Sequence, residues 1–252
     1  MEKETTYEEY TGEKTPEALA EEAQANMTLT RHLEELRVRI IRSLLAIACG
    51  SAVSYYYIDE IMAFIMRPAG KLYYMQPAEA FFTYFKVALF AGFLLSLPFV
   101  LYHVWAFFLP ALTAKERAVI GMLVPASVGL FLAGIAFSYY LVLPIAIRFF
   151  LDFASDTLQP MLSVGRYFDF IVMFMLPFGF IFELPLVILV LARLGIISSA
   201  FLAQKRRIVI LLCFVIGALV SPPDVVSQTM IAVPMVLLYE LSTWIVRYVL
   251  RK

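Results

Sequence analysis

The 252-residue sequence is 62% apolar and only 16% charged, whereas ordinary soluble proteins are about 45–50% apolar. A soluble fold of this length cannot bury so much apolar surface, and the composition also excludes collagen-like, disulfide-scaffold and nucleic-acid-binding classes. The 20 basic and 20 acidic residues cancel, but residues 1–26 carry eight acidic residues and two lysines. We therefore predict an all-α, polytopic membrane protein, preceded by an acidic cytoplasmic extension, 1–27, that we expect to be disordered.

Six apolar stretches could cross a hydrocarbon layer of about 30 Å as helices. They define a membrane domain, 28–252, with predicted spans at 40–58, 87–109, 118–143, 170–192, 208–220 and 225–246. The fifth stretch is only 13 residues long, so we expect the bilayer to thin locally around it. Prolines inside several spans predict kinked helices that form a concave bowl or glove rather than a straight bundle.

The distribution of lysine and arginine predicts the orientation. If alternate loops lie on opposite sides, 13 of these residues fall on the side of the two termini and five on the other side. Lysine and arginine collect in cytoplasmic loops, so both termini are predicted to be cytoplasmic. We expect an inner cell membrane rather than a plastid membrane, because we see no transit peptide in the sequence. The outer segments 59–85 and 148–168 are patterned like short amphipathic helices.

A tight turn is predicted between the last two spans. Pro222 and Pro223 end one helix because proline cannot donate a backbone hydrogen bond, and Asp224 can cap the N-terminus of the next helix.

Two carboxylates are expected to meet at the cytoplasmic face. Glu35 precedes the first span and Glu116 precedes the third, so both side chains could receive guanidinium groups there. A simpler interpretation remains open for each residue. Glu35 can pair with Arg31 or Arg39 four residues away, and Glu116 fits a helix-capping motif that begins at Thr113.

A third carboxylate, Glu183, lies within the fourth span among aromatic and aliphatic residues. An ionisable residue at this depth is costly and usually faces a cavity or a partner, although a structural hydrogen bond to a proline-broken helix is the alternative. Glu240, nearer the cytoplasmic end of the sixth span, could simply reach the interface or pair with Arg247. No metal-ligand spacing, phosphate loop or nucleophile motif is present, so we predict neither a cofactor nor an enzymatic activity.

Several motifs together resemble one family. They are residues 32–37 (HLEELR), 102–107 (YHVWAF) with 110–112 (PAL) and 115–117 (KER), 182–185 (FELP), and 221–225 (SPPDV) with Ser227 and Gln228. In this order and with six predicted spans, over about 28–247, they resemble the TatC family, the receptor subunit of the twin-arginine protein translocase.

The resemblance implies recognition of twin-arginine signal peptides on folded proteins, assembly with the single-span partners TatA and TatB, and transport driven by the proton-motive force. The implied signal-peptide site comprises Glu35, Glu116, Arg37 and Phe107. Glu183 and Gln228 match positions of intramembrane polar or partner contact. The implied structural turns are Pro68 in the first outer loop and Pro222, Pro223 and Asp224 in the last. Membrane lipids and further copies of the chain are the other expected partners.

A different class of function stays open. A proton-coupled small-solute transporter would use Glu183 and Glu240 as proton sites. It predicts substrate-dependent proton flux through this chain alone. An intramembrane enzyme would need a catalytic pair, which we do not find in the sequence.

Overall fold

The computed structural model describes residues 16–108, 117–152, 160–221 and 224–248, with side chains at 32–108, 121–152, 160–221 and 224–248. Within these residues the chain is helical apart from short connections, and its one β-type contact is an isolated parallel bridge between Tyr73 and Ser163. The predicted all-α class is therefore confirmed.

The helices follow the chain in order and carry the labels α1 to α9. They are α1 Pro16–Tyr56, α2 Ile58–Met66, α3 Pro77–Phe108, α4 Arg117–Phe137, α5 Leu143–Leu151, α6 Val164–Phe182, α7 Leu184–Arg193, α8 Ser199–Val220 and α9 Val225–Tyr248. A single 3₁₀ turn, Arg67–Ala69, follows α2. A π-helical segment, Ser138–Val142, joins α4 to α5.

Four helical stretches among the described residues are long and apolar enough to cross a membrane: Pro77–Phe108, Gly121–Leu151, Val164–Arg193 and Val225–Tyr248. They coincide with the second, third, fourth and sixth predicted spans. The first and fifth predicted spans lie in α1 and α8, whose N-terminal parts carry charged residues. The six-span count and the concave shape stay predictions.

Helix boundaries differ from expectation at several places, including α1 and the fourth span. Helix α1 begins at Pro16, so it includes part of the acidic extension that we expected to be disordered. Residues 16–25 are rich in alanine and glutamate, which are strong helix formers. The fourth span is divided at Glu183, between α6 and α7, where Pro185 occupies the first turn of α7. Proline is well accommodated there because the first N–H groups of a helix have no partner within it.

Glycine allows a very close helix approach between α1 and α3. A Cβ built on Gly92 would lie 2.3 Å from the backbone nitrogen of Ser51, and one built on Gly50 would lie 2.6 Å from the Gly92 carbonyl oxygen. Small residues that let backbones approach are typical of helix packing in membranes, where apolar burial alone does not favour association.

The predicted outer end is held together by backbone and tyrosine hydrogen bonds. The Tyr73 N–H donates to the Leu162 carbonyl at 3.0 Å, and the Val164 N–H donates to the Tyr73 carbonyl at 2.8 Å. Tyr139 and Tyr167 donate their hydroxyls to carbonyls in the last turn of α2. The connections before α3 and before α6 are therefore joined to each other.

The amphipathic helix predicted within 59–85 is only partly what we expected. Helix α2 includes Ile61, Phe64 and Ile65, as predicted. Phe81, Phe82 and Phe85 instead belong to the first turns of the long helix α3. Pro77 opens that helix and fits its first turn, so the helix runs from these phenylalanines into the span without a break.

Candidate functional site

A charged cavity lies between α1 and α3 at the predicted cytoplasmic end. It has a volume of about 480 Å³ and is lined by Glu34, Glu35, Val38, Arg39, Arg42, Tyr102 and His103. The α1 residues lie three or four positions apart, which brings them to one face of the helix. Carboxylates and guanidinium groups thus face two ring side chains of α3 across a single cavity.

Glu35 binds a guanidinium group inside this cavity. Its Oε1 atom accepts hydrogen bonds from Arg39 Nε at 3.0 Å and from Arg39 Nη2 at 2.5 Å. The side chains of Glu35 and Arg39 are 38% and 21% exposed, respectively. One of the two pairings left open by the sequence, Glu35 with Arg39, is therefore present. The arrangement also shows that this carboxylate can hold an arginine side chain at this position.

An aromatic contact lies at the predicted cytoplasmic end of the same helix pair. The rings of His32 and Phe107 are stacked, with centroids 4.4 Å apart and planes 16° from parallel. Phe107 is half-buried, whereas the adjacent Phe108 is 71% exposed. Glu35 and Phe107, which the sequence assigned to one site, are thus both brought to this end of the α1–α3 pair.

The other two residues assigned to that site are not part of the described cavity. Arg37 is exposed on α1 and is not among the residues that line the cavity. Glu116 lies outside the described residues, so its approach to Glu35 stays a prediction.

Glu183 lies at the α6–α7 junction and takes part in a buried polar chain. Trp105 Nε1 donates to Ser127 Oγ at 3.0 Å, and the Ser127 hydroxyl donates to Glu183 Oε2 at 2.6 Å. The Glu183 residue is 9% exposed, and its Oε1 atom has no hydrogen-bond partner among the described residues. The chain joins α3, α4 and the junction through side chains rather than through a backbone group of the broken helix.

The α8–α9 turn has the predicted cap. Asp224 Oδ1 accepts a 2.7 Å hydrogen bond from the Ser227 N–H, as expected for an N-cap. Gln228 Nε2 donates to the Phe214 carbonyl at 3.1 Å, which ties α9 to α8. Pro222 and Pro223 lie outside the described residues.

Two further expectations can be compared with the structure. Pro68 lies in the 3₁₀ turn after α2, which ends at Gly70 with a φ of 73°. Glu240 forms an ion pair with Arg206 of α8 at 2.5 Å, not with Arg247 as considered from the sequence. Helix α8 packs against α9, which brings together charges that lie 34 positions apart in the sequence.

Sequence reasoning missed several of these residues. Arg42 and His103 line the cavity with Glu35, and Ser127 is the direct partner of Glu183. The three- and four-residue spacing along α1 could have identified Arg42. No sequence signal distinguishes Ser127 from other small polar residues in apolar helices, because its role depends on the packing of α4 against α6 and α7.

The fold and site define a helical membrane protein with a carboxylate–guanidinium cavity at one end of its α1–α3 pair. In the part of the chain that the structure describes, no cluster of three or more histidine, cysteine or acidic side chains could hold a metal ion.

Comparison with known proteins identifies the family. The model of the Sec-independent protein translocase protein (TatC) family matches residues 31–234. The TatC protein of Carboxydothermus hydrogenoformans is 40% identical over 228 residues, which cover 88% of this chain and 94% of that protein. The TatC protein of Aquifex aeolicus is 37% identical over 234 residues, covering 90% and 97%, respectively. The chain belongs to the TatC family.

The fold comparison agrees. A crystal structure of the twin arginine translocase receptor TatC in DDM matches with a TM-score of 0.76 and 36% identity, covering 85% of this chain and 99% of that chain. Family membership makes this chain a membrane component of a protein translocase, in a family of transport proteins and not of catalysts.

Proposed function

We propose that this chain is the receptor of a twin-arginine translocase and binds the paired arginines of signal peptides on folded cargo proteins. The observation that carries the proposal is the hydrogen-bonded contact between the Glu35 carboxylate and a guanidinium group in a cavity that is open between α1 and α3.

Arginine suits such a site better than lysine. Its planar guanidinium offers several N–H donors in a fixed geometry and can bind one carboxylate through two of them, whereas a lysine ammonium acts as a point charge. We assign Glu35 to one peptide arginine and Glu116 to the other, with Phe107 and Arg37 as flanking contacts. The apolar segment of the signal peptide would then continue along the concave membrane face.

Partner binding is assigned to the membrane-embedded part of the chain. The polar groups of Glu183 and Gln228 lie on α6–α7 and α9, and Leu211, Leu219 and Leu237 are exposed on α8 and α9. We propose that the single-span proteins TatA and TatB dock there, that several copies of this chain associate in the receptor complex, and that the proton-motive force drives export. The chain crosses the inner cell membrane six times with both termini in the cytoplasm.

The direct test is peptide binding by the full chain in lipid nanodiscs. A fluorescent signal peptide with Arg-Arg is compared with its Lys-Lys counterpart on the wild type, Glu35→Gln and Glu116→Gln. We expect a preference for Arg-Arg that each substitution lowers by about tenfold or more, since a hydrogen bond to a charged group contributes about 1.5–3 kcal/mol.

The matched control is Glu60→Gln, which removes the same charge from an exposed position on α2. It is expected to leave both peptide affinities unchanged. Equal binding of the two peptides, unaffected by Glu35→Gln and Glu116→Gln, would overturn the proposal. Substrate-dependent proton flux through this chain alone would then support the solute-transporter alternative.

A further inference from the structure

The Glu35 carboxylate already binds an arginine of its own helix. Arg39 reaches it with two nitrogen atoms and is the less exposed partner, at 21%. A peptide arginine that binds Oε1 must therefore displace Arg39 or share the carboxylate with it. Sharing would place the second guanidinium against a carboxylate whose charge Arg39 already balances, so the peptide would gain less than from a free carboxylate.

His103 has the properties of a group that could receive the displaced side chain. It is 6% exposed, it borders the same cavity, and neither of its ring nitrogens has a hydrogen-bond partner among the described residues. A buried polar group without a partner is costly. A neutral imidazole always offers one nitrogen as an acceptor.

The ring is also held in place and shares its cavity with two arginines. Phe99 and Tyr102 contact it edge-to-face, with centroids 4.5 Å and 5.5 Å away. Arg39 and Arg42 line the same cavity as the ring. An acceptor on α3 thus lies across the cavity from the arginine that occupies Glu35.

We propose that Arg39 is an internal stand-in for a peptide arginine, and that His103 accepts the Arg39 guanidinium when a peptide arginine takes its place on Glu35. The inference rests on the proposed peptide-binding function. In this mechanism, Arg39 competes with the peptide for Glu35. His103 is a positioning residue that lowers the free-energy cost of displacing Arg39.

The test is a double-mutant cycle on the full chain in nanodiscs of phosphatidylethanolamine and phosphatidylglycerol, with the Arg-Arg peptide as the probe. Arg39→Gln is expected to tighten peptide binding by about two- to fivefold, the range for loss of a partly exposed ion pair. His103→Phe is expected to weaken binding by about two- to tenfold, as expected for loss of one hydrogen bond. In the Arg39→Gln background, His103→Phe should have no effect on binding.

Two controls separate this mechanism from a general loss of charge or fold. Arg42→Gln removes a positive charge from the same cavity but leaves Arg39 in place, so His103→Phe should still weaken binding in that background. His103→Gln restores an acceptor and should bind the peptide like the wild type. Thermal unfolding of each variant identifies any loss of fold. If His103→Phe does not fold, the peptide affinities of His103→Gln and Arg39→Gln test the inference instead.

Independent, multiplicative effects of Arg39→Gln and His103→Phe would overturn the inference, as would weaker binding by Arg39→Gln. Both results leave the receptor proposal intact provided that Glu35→Gln still lowers the Arg-Arg preference. If Glu35→Gln has no effect, the proposed function itself fails.

Discussion

Ser127 of α4 and Glu183 at the α6–α7 junction share a 2.6 Å hydrogen bond within the buried part of the bundle. The serine hydroxyl also accepts from Trp105, so a single small side chain joins three parts of the fold. Glu183 was recognisable from the sequence as an exceptional residue. Its actual partner was not.

Removing this hydroxyl should destabilise the fold. Ser127→Ala leaves the buried Glu183 carboxyl group and the Trp105 N–H without their partner, and an unsatisfied buried group costs about 1–3 kcal/mol. We expect a lower thermal unfolding temperature in detergent. The control is Ser242→Ala, since Ser242 is equally buried but bonds only to its own helix, at Leu238. Equal stability of the two variants would show that the chain through Ser127 contributes nothing.

The α1–α3 crossing should tolerate no added methyl group. In Gly92→Ala the new Cβ would collide with the backbone of Ser51, which cannot move aside without separating the helices. We expect a loss of about 1–3 kcal/mol, typical of overpacking. Gly129→Ala on α4 is the control, because a Cβ there meets nothing within 4 Å. Unfolding by denaturant compares the two, and a Gly92→Ala variant as stable as Gly129→Ala would contradict the close approach of α1 and α3.

Glu79 should hold together the connections before α3 and before α6. Its carboxylate accepts hydrogen bonds from the Met75 N–H at 2.7 Å, from the Gly165 N–H at 2.9 Å and from the Ser163 hydroxyl. In Glu79→Ala these donors lose their acceptor, so amide hydrogen exchange at Met75 and Gly165 should become faster. Glu60→Ala, at an exposed acidic residue on α2, should leave that exchange unchanged. Unaltered protection of these two amides from exchange in Glu79→Ala would show that Glu79 does not hold the two connections together.

The ion pair between Arg206 and Glu240 should matter little for stability. Both partners are partly exposed, at 59% and 34%, and pairs of this kind contribute at most about 1 kcal/mol. We expect Glu240→Gln to unfold within that margin of the wild type and to export cargo normally. Loss of export in a stably folded Glu240→Gln variant would revive the view that this carboxylate takes part in proton coupling.

The helices could be predicted from the sequence to different degrees. The second, third, fourth and sixth spans were recognisable because an apolar run of about 20 residues has few structural uses other than crossing a bilayer. The π-helical segment at Ser138–Val142 was not, because it departs from regular helix geometry without any proline or glycine of its own. The Asp224 cap was predictable, since it depends on residues three positions apart.

The candidate site shows the same division. Glu35 and Phe107 were identifiable from the motifs around them, and the pairing of Glu35 with Arg39 was one of the two that helical spacing allowed. The position of His103 opposite these residues depends on how α3 is rotated against α1, and the close contact of Gly50 with Gly92 is part of that packing. No local pattern in the sequence predicts how α3 is rotated against α1.

The sequence by itself determined the class of protein, the approximate positions of four spans and the residues whose charge is out of place in a membrane. These depend on composition and on short-range spacing, because the composition of a segment decides directly whether it is stable in the hydrocarbon layer. Only the tertiary structure decided that Ser127 partners Glu183, that Arg206 partners Glu240 and that His103 borders the Glu35 cavity. Such pairs arise where helices distant in sequence pack together, and buried polar groups take whichever partner that packing brings within hydrogen-bond distance.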